Sequence, residues 1–155
     1  MPSTDAGKPQ AETMLEMRSD ARRDALSHSL EDYLEAIVDL AGLPDSPVRA
    51  VDIAKKLEVS KASVSKAIAA LKEKGLVEQP YYGDITLTAD GYAYGSMVWQ
   101  KHQLLYRFLT EVLHIESERA NYEACQMEHA ISAESFEHWR DYFESIGLGG
   151  PVMKQ

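Results

Sequence analysis

The stretch YEACQMEHAIS (122–132) places a thiol, a carboxylate and an imidazole, Cys125, Glu128 and His129, at i, i+3 and i+4. On a helix these positions share one face, and all three groups ligate metals, with different softness. Alone the pattern is weak, because a solvated face with an incidental cysteine explains it more often. Two other places change the weighing. In LEDYLEAI, Asp32 and Glu35 lie at i and i+3 beside an apolar stripe, and in WQKHQLLYRF, His102 sits at the edge of an apolar face with Val98, Leu105 and Leu109. Each has an ordinary explanation: first-turn acids favoured by the helix dipole, and a hydrogen-bonded, half-buried histidine. Their joint presence is harder to dismiss.

The elements that must position these groups can be read from periodicity. Leu30, Tyr33, Leu34, Ile37, Val38 and Ala41 form the apolar side of a helix to about Ala41, with Ser29 as its cap. GLPDSP (42–47) breaks the chain. Val51, Ile53, Ala54 and Leu57 mark a short helix, EVS a tight turn, and Ser60 the cap of a helix from Lys61 to about Lys74, ended by Gly75. Two helices joined so closely match a helix-turn-helix. LVEQP, the turn YYGD and ITLT read as a hairpin. Thr88 caps a long helix to Leu113, a helix from Ser117 to about Ile131 carries the opening motif, and Ser132 caps another to about Ile146 with Phe136, Trp139 and Phe143 on one side. The fold class is mainly α: an N-terminal winged helix-turn-helix followed by an all-helical part. The predicted organisation is an N-terminal extension (1–27), a winged helix-turn-helix (28–89), a helical unit (90–147) and a tail (148–155).

The buried stripe of the 61–74 helix, Val64, Ala67, Ile68 and Leu71, turns Lys61, Ser63, Ser65 and Lys66 outward. Small hydroxyls and long donors at a helix N-terminus suit a major groove. Lys66 is the candidate base reader. Ser60, Lys61, Ser63 and Ser65 are candidate phosphate or groove contacts, and Arg49, Tyr81 and Tyr82 candidate backbone contacts. For any single residue, a merely solvated helix face explains the lysines and serines equally well.

Charge distribution agrees with a local nucleic-acid face. Residues 48–84 carry 7 basic and 5 acidic side chains, whereas residues 1–47 carry 4 and 10, and the whole 155-residue chain has net charge -9. Overall acidity argues against non-specific nucleic-acid binding, but a local basic face can still dock on phosphates. No apolar run approaches the roughly 20 residues of a membrane span, the N-terminus is too polar for a secretory signal, and one cysteine fits a reducing cytoplasm. There is no separate nucleophile, general-base motif or phosphate-binding glycine loop, so an enzyme is not expected.

The stretches LEDYLEAI, VDIAKKLEVSKASVSKAIAALKEKGLV, ITLTADG, KHQLLYRFL and YEACQMEHAIS, in this order over about residues 28–147, resemble the metal-dependent repressors typified by the diphtheria toxin repressor and the manganese transport regulator. The resemblance implies a metal-activated, sequence-specific DNA-binding repressor controlling iron or manganese uptake genes, acting as a homodimer on a double-stranded operator, with no membrane and no small organic substrate as partner. It implies a metal set of Asp32, Glu35, His102, Cys125, Glu128 and His129. The first helix looks like the manganese branch, while Cys125, Glu128 and His129 match the iron branch. The iron branch's ancillary site is not expected, because its positions hold Tyr106 and Asn121; this frees His102 for the primary cluster. The chain stops at 155, so a short form without the C-terminal SH3-like domain of longer relatives is expected. Thiolate chemistry favours Fe(II), with Mn(II) as the alternative, and one or two ions per subunit. The dimer rests on the resemblance and on the Phe136, Trp139, Phe143 stripe, which core packing within one chain explains equally well. His28, His114 and His138 read as surface or interface residues. The rival reading is a winged-helix regulator responding to an organic ligand or partner without metal.

Overall fold

The structure, a computed structural model, describes residues 26–80 and 83–148. Tyr81, Tyr82, most of the predicted extension and most of the predicted tail lie outside the described residues. The described elements are α1 (His28–Ala41), α2 (Ala50–Leu57), α3 (Lys61–Glu73), β1 (Val77–Glu78), β2 (Thr86–Leu87), α4 (Ala89–Arg107), α5 (Ser117–Ala130) and α6 (Ala133–Ser145). A π-helical stretch, Phe108–Val112, extends α4.

Caps set most of the boundaries. The hydroxyls of Ser60, Thr88 and Ser132 accept the N–H groups of Ser63, Gly91 and Ser135 at the starts of α3, α4 and α6. At α1 the cap is Ser27, not Ser29: its hydroxyl accepts the N–H of Leu30. The helix begins early because Leu26 is buried and its N–H donates to the Tyr94 hydroxyl at 3.3 Å, fixing the chain one step before Ser27. Glu58 turns α2 into α3 with φ 54, and Gly75 ends α3 with φ 72. The π-widening of α4 coincides with Thr110, whose hydroxyl donates to the Tyr106 carbonyl at 2.9 Å and competes with the helical ladder.

Two apolar cores result. The first gathers Leu34, Ile37, Ile53, Val64, Leu71, Val77 and Ile85 from α1, α2, α3 and the hairpin. Each large aliphatic side chain there contributes roughly 1.5–3 kcal/mol of transfer free energy. Strands β1 and β2 pair antiparallel, Val77 with Leu87 and Glu78 with Thr86, and Val48 bridges to Ile85. This is the predicted winged helix-turn-helix. The second core gathers Leu104, Leu105, Leu109, Ala120, Ala124, Phe136, Phe143 and Leu148. Phe136 and Phe143 are buried within one chain, so the aromatic stripe is core packing and gives no support to a dimer. Leu148, expected at the start of the tail, belongs to this core, and Arg107 Nη1 holds its carbonyl at 2.9 Å.

Helix α4 joins the cores and sets their spacing. A Cβ at Gly91 would overlap the Leu76 carbonyl, and one at Gly95 would come within 2.6 Å of Val38 Cγ2 and 3.1 Å of Leu34 Cγ. Glycine inside a helix costs about 1 kcal/mol relative to alanine; here it lets α4 lie directly on the hairpin and on α1. That close approach brings α1's acids level with His102.

Candidate metal centre

Between the two cores the helices present polar faces to one another. Helix α1 turns Tyr33, Leu34, Ile37 and Val38 inward and leaves Glu31, Asp32 and Glu35 facing α5. Helix α4 supplies Lys101 and His102. Helix α5 buries Ala120, Ala124 and Glu128 and holds Asn121, Cys125 and His129 at the rim of the same junction. All six residues read from sequence as metal donors meet there. They form two groups, Asp32, Cys125, Glu128 and His129, and Glu35, His102 and Glu128; within each the donor atoms lie within 4.8 Å of one another.

Glu128 belongs to both groups and is 1% exposed. Its Oε2 accepts from His102 Nδ1 at 2.7 Å, but its Oε1 has no hydrogen-bond partner among the described residues. His129 Nε2 is 3.4 Å from that oxygen, yet its N–H is aimed at Asp32 Oδ1, 2.7 Å away. A buried carboxylate oxygen without a hydrogen bond costs free energy on the order of 1–3 kcal/mol, which the imidazolium of His129 at 3.4 Å offsets only in part. A cation beside it would remove that cost.

Outer partners orient both imidazoles. His129 Nδ1 donates to Glu31 Oε2 at 2.6 Å, which turns Nε2 toward Asp32 and Glu128. Glu31 is itself held by the Tyr94 hydroxyl, which donates to Oε1 at 2.7 Å. His102 Nε2 donates to Asn121 Oδ1 at 2.9 Å, which turns Nδ1 toward Glu128. His28 stacks on His129 with ring centroids 4.8 Å apart.

The ionisation of these groups records a site short of positive charge. Burial and then the negative charge of Glu128 push the Glu35 carboxyl up to about 8. Burial and then the charges of Asp32, Glu128 and Glu35 push the Cys125 thiol up to about 12. Burial opposes the charge on His129, but hydrogen bonds to Asp32 and Glu31 outweigh it and hold the imidazole up to about 10. His102 is raised too, burial being outweighed by Glu128. Glu31 is lowered, because His129 and Tyr94 outweigh its burial. Lys101, 6% exposed, donates to the Ile131 carbonyl at 2.7 Å, and burial depresses its pKa against the pull of Glu31 and Glu128. Protons and one lysine thus balance the carboxylates, a task that a divalent cation could take over. Three carboxylates, two imidazoles and one thiol are a donor set that fits such a cation. A cleft of about 370 Å³, lined by Asp32, Glu35, Trp99, His102, Asn121 and Cys125 among others, gives access to both groups.

Sequence reasoning did not find Glu31, Tyr94 or Lys101. It took Asn121 only as a missing ligand, and it placed His28 at the surface, where it does lie exposed but stacked on His129. The adjacent Glu31–Asp32 pair was the available signal, since only a second helix wedged against both could use two neighbouring acids.

On α3, Lys61, Ser63, Ser65 and Lys66 are exposed while Val64, Ala67, Ile68 and Leu71 are buried, as the periodicity requires. Ser60 caps the helix and its hydroxyl lies 2.9 Å from that of Ser63. Arg49 is engaged by Asp52, with Nε 2.8 Å from Oδ2 and Nη2 3.0 Å from Oδ1. No helix among the described residues is long and apolar enough to cross a membrane.

Comparison with known proteins agrees with both halves. Residues 25–84 match the model described as iron dependent repressor, N-terminal DNA binding domain, and residues 88–146 match iron dependent repressor, metal binding and dimerisation domain. The chain is 34% identical over 122 residues to an uncharacterized HTH-type transcriptional regulator of Methanocaldococcus jannaschii, covering 78% of this chain and 97% of that relative. It is 35% identical over 107 residues to the iron-dependent repressor IdeR of Mycobacterium leprae, covering 69% of this chain but 46% of that protein. The solved structure of the manganese regulator SloR superposes with a TM-score of 0.64 at 29% identity, over 74% of this chain and 53% of that one. The chain therefore spans nearly the whole of one relative and about half the length of the other two. With a matching winged helix-turn-helix, a matching helical unit and relatives of this identity, the chain belongs to the iron-dependent repressor family.

Proposed function

We propose that the protein is a homodimeric, metal-activated transcriptional repressor that binds a double-stranded operator and takes Asp32, Glu35, His102, Cys125, Glu128 and His129 as its metal ligands. The observation that carries this reading is the buried Oε1 of Glu128, which has no hydrogen bond among the described residues, at the point where donors from α1, α4 and α5 converge. A bound dication supplies the positive charge that this convergence lacks. The names of the relatives point to iron or manganese; the Cys125 thiol favours Fe(II), with Mn(II) the alternative.

The residues explain why metal and DNA are linked. Asp32 and Glu35 sit on α1, whose other face is built into the core that carries α2 and α3. Cys125, Glu128 and His129 sit on α5, which packs into the second core. Tying the two sets together fixes the orientation of α3 relative to the helical unit. In a dimer this fixes the spacing of two recognition helices, which must meet half-sites about one DNA turn, or a multiple, apart. Without that tie, only shared protons and hydrogen bonds hold the donors of α1 to those of α4 and α5, and other orientations compete. A near-complete switch needs the competent state to bind metal about 10⁴-fold more tightly. Lys66 reads base edges, and Ser60, Lys61, Ser63, Ser65 and Arg49 contact phosphates or the groove; Tyr81 and Tyr82 of the wing are further backbone contacts.

The test is an oxygen-free electrophoretic shift on a palindromic operator with Fe(II), with Mn(II) and with chelator. Metal is expected to strengthen binding, and Glu128→Ala or His129→Ala to abolish the response in a protein that keeps its helical circular dichroism. Equal binding in chelator would support the rival, a regulator that senses an organic ligand; the cleft beside Trp99 is within the size range of such sites.

A further inference from the structure

We propose that Asp52 is a positioning residue for operator binding: its carboxylate holds the Arg49 guanidinium in one orientation, so that an acidic side chain strengthens the protein's hold on a polyanion. This rests on Arg49 meeting a DNA phosphate, as proposed above, and goes beyond it by naming the group that readies the arginine.

The pair is a two-point fork. Arg49 Nε lies 2.8 Å from Asp52 Oδ2, and Nη2 lies 3.0 Å from Oδ1. A guanidinium carries five N–H groups. The carboxylate takes two, and the other three, both on Nη1 and one on Nη2, have no partner among the described residues. The two side chains are 66% and 38% exposed, so a phosphate can reach that free edge. The backbone beneath is fixed on both sides. Val48 and Ile85 exchange both N–H···O bonds, at 2.8 and 2.7 Å, and the Arg49 carbonyl accepts the N–H groups of Asp52 and Ile53 at the start of α2. Exposed ion pairs contribute little as a rule, but the two-point geometry of arginine on a carboxylate is the exception. Each partner also keeps the other charged: the bond raises the pKa of Arg49 and lowers that of Asp52.

Asp52 acts on an arriving phosphate in two opposite ways. Its charge repels the phosphate. Its fork spares Arg49 the loss of side-chain freedom that binding would otherwise demand. The repulsion is the smaller effect, because Arg49 neutralises the carboxylate at contact distance and the phosphate meets the far edge of the guanidinium. Salt screens what is left beyond about 8–10 Å. Asp84, next to Ile85, is the internal control: it acts on Arg49 through its charge, with no hydrogen bond to it. Simple electrostatics therefore gives Asp52 and Asp84 the same sign, whereas the fork gives them different ones.

The test is fluorescence anisotropy of the Mn(II)-loaded protein on a duplex enriched from a random library by the Mn(II)-loaded wild type, over a range of salt. Asp52→Ala is expected to weaken binding about threefold per reading head, or about tenfold for a dimer on two half-sites, with the salt slope kept. Arg49→Ala is expected to weaken binding and reduce the slope by about one per head. Added to Arg49→Ala, Asp52→Ala is expected to bring no further loss, and Asp84→Asn alone to bring none. Unchanged or tighter binding by Asp52→Ala would overturn the proposal. So would an equal loss in the Arg49→Ala background, the mark of an acid that only steadies the first turn of α2, or a loss from Asp84→Asn as large as that from Asp52→Ala. A salt slope untouched by Arg49→Ala would instead overturn the phosphate contact and this proposal with it, and failure to enrich any duplex would overturn the repressor reading and both.

Discussion

Raising the pH tightens metal binding steeply, because the ligands hold protons that a cation must displace. With the Glu35 carboxyl held up to about 8, the Cys125 thiol up to about 12 and the His129 imidazole up to about 10, all three are largely protonated near neutrality. Ligation removes the proton from each, while Nδ1 of His129 keeps its own on Glu31. Ligation near pH 7 therefore releases about three protons from these three groups. Each proton released makes the loading constant about tenfold larger per pH unit, or about 1.4 kcal/mol. The overall loading constant is thus expected to rise on the order of 10³-fold between about pH 6.5 and 7.5. Oxygen-free competition with a chromophoric chelator, corrected for the chelator's own protons, measures that slope. Calorimetry in two buffers of different ionisation enthalpy counts the protons independently. A slope shallower than about tenfold per unit, or fewer than about one proton released, would refute the picture of a cluster balanced by protons.

Three further outcomes are expected. In metal-free protein the raised Glu35 carboxyl keeps its proton while the unfolded chain gives it up, so stability present below about 4.5 is lost as pH rises toward about 8; Glu35→Gln should flatten that loss and raise the melting temperature in chelator near pH 8. Gly95→Val should destabilise the fold by about 1–3 kcal/mol in urea titrations by forcing α1 off α4 against Val38 and Leu34, and unchanged stability would mean that the close crossing is not needed. Lys66→Ala should cost about 1–3 kcal/mol of discrimination at one operator position, whereas Lys61→Ala should weaken all sequences alike and reduce the salt slope by about one; equal behaviour of the two would undo the division between reader and anchor.

The sequence disclosed most about features that lie within a single element. Ser60, Thr88 and Ser132 cap where local chemistry says they must, and the face shared by Cys125, Glu128 and His129 follows from the helical period. What it hid are relations between elements. Glu31 could be assigned to His129 only once α1 and α5 were placed against each other, and the burial of Lys101 depends on the end of α5 reaching its ammonium. The start of α1 failed for the same reason: Ser27 and Ser29 are equally good caps locally, and the burial of Leu26 with its bond to Tyr94 decides between them. The aromatic stripe on α6 shows the complementary limit. Periodicity fixes that Phe136 and Phe143 share a face but is silent on whether that face meets its own chain or another.

The contacts around Tyr94 reach further than the metal centre. Its hydroxyl accepts the N–H of Leu26 and donates to Glu31, which in turn holds His129. Leu26 is where the leading 25 residues join the described fold. The first described residue and an imidazole of the centre are thus the two ends of one short hydrogen-bonded relay, so the seating of the start of α1 and the setting of His129 bear on each other.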